Sequence, residues 1–167
     1  MKQRAGAVSI RPAGADDAEW LPGFIRERWH ADFVVNHSEK LYPARLPAFV
    51  AWLERERVGL LTYRVDERGL EVVTIDSTRE GQGVGGALLE AALGEARRLG
   101  CSRLWLVTTN DNLDALRFYQ RRGMRLAALR PGLYDEIRAT VKPQISALGN
   151  HGIPIRDELE LELLLNC

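Results

Sequence analysis

An apolar run, Leu70-Glu71-Val72-Val73-Thr74-Ile75-Asp76, passes through Ser77-Thr78-Arg79-Glu80 into Gly81-Gln82-Gly83-Val84-Gly85-Gly86, and then directly into the helical periodicity of Ala87 to Gly100. A strand that ends in a glycine-rich turn and restarts as a helix gathers unpaired backbone N–H groups at one point, together with the positive end of a helix dipole worth about half a charge. Phosphate groups are the usual occupants of such a point. Bare α-carbons at 81, 83, 85 and 86 let a pyrophosphate reach those amides, where side chains would hold it away. The same glycines also suit a plain tight turn that uses them only for dihedral freedom, so a second motif has to decide between the two readings.

The surrounding chain reads as one α/β domain spanning 1–167, large enough to bury a core without disulfides or structural metal. A short strand is expected at Val8–Arg11. A helix follows from about Asp16 to Trp29, with Asp16 or Asp17 as its cap. Residues 30–47 mix aromatics, His, Asn and Pro without a period and are expected to be a loop holding a short helix. Strands are expected at Ala48–Glu54, Val58–Val65 and Leu70–Asp76. In the helix after the glycines, Val84, Leu88, Ala91, Ala92, Ala96 and Leu99 share one stripe, and Gly100 supplies the left-handed residue that ends it. Ser102–Val107 is apolar on both faces, the pattern of a strand in a parallel pair. Asn110, Asp111 and Asn112 offer caps for a helix over Leu113–Arg122, closed by Gly123, and a strand over Met124–Leu129 follows. After a long excursion, Leu159, Leu161 and Leu163 alternate with Glu158, Glu160 and Glu162, which predicts a strand with one wet face.

Charge and composition exclude several function classes. Lys and Arg number 23 against 23 Asp and Glu, leaving no basic footprint for nucleic acid or an anionic membrane. No apolar stretch approaches membrane-spanning length, and the basic opening MKQRAGAVSIR is broken by Arg11 before it could act as a signal peptide. His30, His37 and His151 are scattered, and Cys101 and Cys167 lie far apart, so no metal site is expected and a reducing, cytoplasmic setting fits best.

The second motif is Asn112-Leu113-Asp114-Ala115-Leu116-Arg117-Phe118-Tyr119-Gln120-Arg121-Arg122-Gly123, of the form N-x-x-A-x-x-F-Y-x-x-x-G, on the helix after the second parallel strand. With the strand, glycine loop and helix upstream, it resembles the GNAT superfamily of N-acetyltransferases over residues 7 to about 130. The phrase His151–Leu163 resembles a bacterial subgroup of that superfamily whose substrate is unassigned. The resemblance implies a mixed, mostly antiparallel sheet of six to seven strands with a central parallel pair and helices on both faces. It also implies acetyl-CoA as co-substrate and direct transfer of the acetyl group to a primary amine.

By resemblance, the family's Q/R-x-x-G-x-G/A signature falls on Glu80-Gly81-Gln82-Gly83-Val84-Gly85, with Glu at the first position in place of Gln or Arg. Arg79 is then expected to supply the missing charge. A shifted frame beginning at Gln82 also satisfies the signature, and Gly81 to Gly86 are implicated in either frame. Backbone groups near Ile75 and Ser77 are expected to pair with the pantetheine arm and to polarise the thioester. Tyr119 matches the family's general acid, with core packing beside Phe118 as the competing reading, and Asn112 matches a cofactor-pocket asparagine that is equally an N-cap. Glu71 is the expected base, with Asp76, Asp157 and Glu158 as alternatives. Trp29, His30, Asn36, His37 and Tyr42 are expected on one wall of the acceptor cleft and Arg156, Asp157 and Glu158 on the other, acidic residues there suiting a cationic small-molecule or peptide amine. A homodimer is left open.

Two other function classes compete. Gly81–Gly86 also spells the G-x-G-x-x-G dinucleotide fingerprint, with Asp111 as ribose partner, although Asp111 lies farther along than the ~20 residues that fold requires. A noncatalytic acyl-CoA-binding module would keep the pocket and lose turnover.

Overall fold

The computed structural model describes residues 6–165; Cys167 and the first five residues of the basic opening stretch lie outside the described residues. In chain order the elements are β1 (Val8–Pro12), α1 (Trp20–Trp29), β2 (Val34–Asn36), β3 (Glu39–Leu41), β4 (Ala48–Leu53), β5 (Glu56–Asp66), β6 (Gly69–Ser77), α2 (Val84–Arg98), β7 (Arg103–Thr109), α3 (Leu113–Gln120), β8 (Arg125–Arg130), α4 (Leu133–Thr140) and β9 (Glu158–Leu164). Seven of the strands form one sheet in the order β1-β4-β5-β6-β7-β9-β8, and β2 with β3 makes a separate hairpin. Only β6 and β7 pair in parallel among the described strands. The sheet therefore has the expected form, and the long parallel sheet of the dinucleotide-binding rival is absent among the described residues.

Alternation along β5 sends side chains to opposite faces, and each face finds its own helix. Leu61 and Tyr63 join Leu88, Leu89, Ala92 and Ala96 of α2 and Tyr119 of α3 in the larger core. Leu60, with Ala48 and Val50, meets Leu21, Phe24 and Ile25 of α1 on the other side. α2 begins at Val84 on Gly83, which takes a left-handed φ of 78°, and Gly100 (φ 69°) receives the chain at its far end as the sequence predicts. Asn112 caps α3, its side chain accepting from Ala115 N at 3.2 Å.

The decisive feature is where β6 and β7 stop pairing. Their register runs only through Leu70↔Leu104 and Glu71↔Trp105. Beyond that point β6 stays paired to β5 as far as Ser77↔Gly59, and β7 stays paired to β9 as far as Thr109↔Glu158. The facing edges of β6 and β7 diverge, leaving backbone donors and acceptors directed into a gap, which chemistry requires some other group to satisfy.

Four expectations need correction. The first helix starts at Trp20: residues 15–17 form a 3₁₀ turn in which Asp17 accepts from Gly14 N at 2.8 Å and from Arg57 Nε at 2.8 Å. Residues 30–47 hold the β2–β3 hairpin before a 3₁₀ turn at Pro43–Arg45. The long excursion contains α4, announced by Tyr134, Ile137 and Val141 at helical spacing. Finally, β9 has no wet glutamate face: Glu158, Glu160 and Glu162 are all buried. Arg103 from β7 and Arg125 and Arg130 from β8 cover them with ion pairs of 2.7 to 3.0 Å, and the hairpin closes over the top through His37 N to Glu158 at 3.0 Å.

Candidate active site

Three recesses follow one another along β6. The first, of about 500 Å³, lies at the start of α2 and is lined by Ser77, Arg79, Glu80, Gly81, Gly83, Val84, Gly85, Gly86, Phe118 and Arg122. The glycines here serve two different physical purposes. Gly81 (φ 71°) and Gly83 have the left-handed backbone that side chains resist, with open space around the α-carbon. Gly85 and Gly86 instead let α3 come close: an added Cβ would lie 3.2 Å from the Phe118 ring and 3.1 Å from the Arg122 guanidinium. Val84, Gly85 and Gly86, at the opening of α2, have no carbonyl one turn earlier within the helix, so their amides are free to serve an anion.

Charge around this recess comes from an unexpected quarter. Arg79 lines it as expected, while pairing with Glu56 at 2.6 Å. Arg122, not singled out in the sequence, stacks its guanidinium 3.7 Å from the Phe118 ring centroid and lines the recess as well. Gln82 is exposed and does not line it. Ser77 fastens the turn, its hydroxyl accepting from Arg79 N at 3.0 Å and donating to Arg79 O at 3.2 Å.

The middle recess, about 180 Å³, fills the gap between β6 and β7 and is walled by Val72–Asp76, Leu106–Thr108, Trp29, Asn112, Ala115 and Tyr119. Tyr119 is 7% exposed, and burial, with Asp76 nearby, drives its phenol well above the ordinary tyrosine range, so it is protonated at neutral pH. Asp76 is the single carboxylate on this wall. Burial raises its pKa, opposed by the Trp29 indole N–H donating at 2.7 Å and by Arg28 at 3.5 Å. A proton donor and a carboxylate pushed toward neutrality thus face one narrow slot.

The outer recess, about 200 Å³, shares Trp29, Val73, Val107, Thr108 and Asn112 with the middle one and adds Val34, Val35, Asn36, Thr109, Tyr134, Lys142, Ile145 and Ile155. Its far wall is held by Arg138 of α4, which donates to Ile145 O, Ser146 O and Ile155 O at 2.8 to 3.0 Å. The β2–β3 hairpin supplies the opposite wall, with Val34 and Leu41 packed on Val73.

The expected site residues divide accordingly. Trp29, Ile75, Ser77, Arg79, Gly81, Gly83, Val84, Gly85, Gly86, Asn112, Tyr119 and Asn36 line one or more of the recesses. Glu71 does not: it is fully enclosed, paired with Arg64 Nε at 2.6 Å and accepting from Asn36 at 2.9 Å. Glu158 lies under Arg130 and His37. Asp157 accepts from Gly132 N, and Arg156 is exposed with its backbone N–H bonded to Asn110. His37 packs edge-on against Trp105 at 5.2 Å, and burial beside Arg130, Arg68 and Arg64 lowers its pKa from 6.5 to about 4 despite Glu160. His30 is the exposed left-handed residue ending α1, and Tyr42 lies between Lys40 and Arg45. Asp111, the ribose partner of the dinucleotide rival, is buried and accepts from Asn150 N and its side-chain amide. Among the described residues no cluster of His, Cys, Asp or Glu could hold a metal ion.

Sequence reasoning missed Lys142, Tyr134 and Arg122. The helical spacing of α4 was the available signal for Tyr134; Lys142 had no local signal, because tertiary packing alone brings it to the cleft.

Comparison with known proteins fits this geometry. Residues 16–124 match the family model described as the acetyltransferase (GNAT) family. The uncharacterised protein YdhI of Bacillus subtilis is 36% identical over 140 residues, covering 83% of this chain and 87% of that protein. The ribosomal protein bS18-alanine N-acetyltransferase of Escherichia coli K12 is 33% identical over 70 residues, 42% of this chain and 47% of that protein. An acetyltransferase of Bacillus subtilis solved in complex with CoA superposes with a TM-score of 0.68 at 20% identity, covering 95% of this chain and 98% of that one.

Proposed function

The chain belongs to the GNAT acetyltransferase family, and on that premise we propose that it moves an acetyl group from acetyl-CoA to a primary amine by direct transfer in a ternary complex. One observation carries the proposal: the glycine-loop recess abuts the β6–β7 gap at Asp76–Ser77 and Phe118–Tyr119, so one molecule with a diphosphate at one end and a thioester at the other spans both. A relative's CoA complex on the same fold supports it.

In this reading the α2 amides, with Arg79 and Arg122, hold the diphosphate, and the open edge of β6 around Ile75 receives the pantetheine arm as an added strand. A backbone N–H of β6 polarises the thioester carbonyl and stabilises the charge that develops on its oxygen. The amine enters from the outer recess. Asp76, rather than the enclosed Glu71, takes its proton, directly or through water, because Asp76 is the carboxylate on the slot wall. Tyr119 donates to the departing sulfur. Its raised pKa does not disqualify it, since the same dry slot raises the pKa of the leaving thiol.

The test is a screen of amine acceptors with acetyl-CoA, reading free thiol and acetylated product. Intersecting initial-rate patterns are expected for a ternary complex, and parallel ping-pong lines would overturn direct transfer. Binding of acetyl-CoA without turnover of any amine would return the protein to a noncatalytic acyl-CoA-binding module.

A further inference from the structure

The outer recess is lined mainly by apolar side chains, with Asn36, Thr108, Thr109 and Asn112 among them, and its one charged group is a cation. Lys142 is 7% exposed and lines the wall. Its Nζ donates to Phe33 O at 3.3 Å and lies 5.0 Å from the Phe33 ring centroid. Among the described residues no carboxylate lies within ion-pair distance of it, and that backbone carbonyl is the one hydrogen-bond partner of an ammonium with three donors. A lysine this deeply buried is almost always paired. Burial also holds its ammonium below the ordinary lysine range.

Its place in the cleft is as informative as its burial. Lys142, Tyr134, Ile145 and Ile155 belong to the outer recess alone, whereas Asp76 and Tyr119 belong to the middle recess alone. The composite cleft is therefore polarised: a carboxylate at the transfer end, a shared middle where Trp29, Val73 and Val107 stand beside Thr108 and Asn112, and an ammonium without a carboxylate partner at the far end. A polyamine would bring like charge against Lys142. A dianionic phosphate would meet a single cation. Resting on the acetyltransferase reading, we infer that the acceptor is an amino acid with an apolar body, whose carboxylate pairs with Lys142 while its amine is presented at Asp76 and the thioester.

The cleft gives the order of groups in the acceptor and leaves the spacing between its ends to be measured. The experiment therefore uses α-, β-, γ- and ε-amino acids with apolar bodies, each beside its own carboxamide. Binding to the CoA-loaded protein is followed by calorimetry, and acetylation by thiol release from acetyl-CoA. At least one acid is expected to bind ~10-fold or more tightly than its amide, the usual scale for a hydrogen bond to a charged group. Lys142→Met should remove that preference by weakening the acid and leaving the amide unchanged, and Lys142→Arg should keep much of it. Lys142→Met conserves volume and removes a buried charge, so its melting temperature should equal or exceed that of the parent.

Acids and amides binding alike, or a loss in Lys142→Met shared equally by both, overturns the assignment. So does the absence of any binding acid. Preferential binding of an acid with no thiol release sustains the carboxylate site and overturns acetyl transfer, which keeps the two readings apart.

Discussion

Tyr119 and Asp76 face one slot from different elements, and substitution separates their parts. Tyr119→Phe removes the proton donor with little change in volume, so kcat should fall by ~10²-fold while calorimetry finds acetyl-CoA affinity nearly intact; an unchanged kcat removes Tyr119 as the acid. Asp76→Asn keeps an oxygen to accept from the Trp29 indole but cannot take a proton. Its kcat should fall by a similar ~10²-fold, and the ascending limb of the kcat–pH profile should flatten, because that limb reports a carboxylate lifted above the usual range by burial. A parent-like profile in Asp76→Asn, with a collapse in Glu71→Gln, would move the base to Glu71. At this scale the sequence disclosed what is local. Tyr119 and Asn112 belong to one helical motif and the glycines to one loop, whereas the enclosure of Glu71 had no local signal, because Arg64 and Asn36 reach it across strands.

The element that most needs its own sequence is the turn from β6 into α2, where four glycines look alike in sequence and differ in structure. At Gly83 any side chain must adopt a left-handed backbone, at a cost of about 1–2 kcal/mol, and a branched one also projects into the anion recess. Gly83→Val should therefore lower the melting temperature and weaken CoA binding by ~10-fold or more. At Gly86 an added Cβ meets the far end of the Arg122 side chain, which can swing away. Gly86→Ala should leave stability close to that of the parent and change CoA affinity by only the small part Arg122 contributes. Equal CoA affinity in Gly83→Val would mean that the loop is a turn and nothing more. Strands and helices with a clear period were legible. The β2–β3 hairpin was not, since strands of three residues carry too few alternations to register.

For the whole molecule, the acceptor side of the cleft depends on a hairpin fastened by buried polar groups: Asn36 to Glu71, His37 N to Glu158, and Arg64 bridging Glu39 and Glu71. The alternating glutamates of β9 read as a solvated face because their arginine partners come from β7 and β8, and no period within one strand announces a cross-strand ion-pair lattice. His37 closes that lattice and makes it sensitive to acid. Its pKa is about 4 in the folded protein against an ordinary 6.5, so between those values the unfolded chain binds a proton that the folded chain refuses. Stability from this group is complete above pH 6.5 and is lost as pH falls toward 4, by about 3 kcal/mol at most, at 1.36 kcal/mol per unit. Glu158, whose pKa burial raises, takes up a proton more readily when folded and offsets part of that loss. His37→Asn removes the titration while keeping a polar side chain over Glu158 and Glu160. Denaturant unfolding at pH 7 and pH 4.5 should show the parent losing about 2 kcal/mol more than the variant across that interval, whatever their difference at pH 7. Equal losses in the two proteins would mean that His37 titrates alike in the folded and unfolded chains, so that its place beneath the hairpin does not exclude the proton.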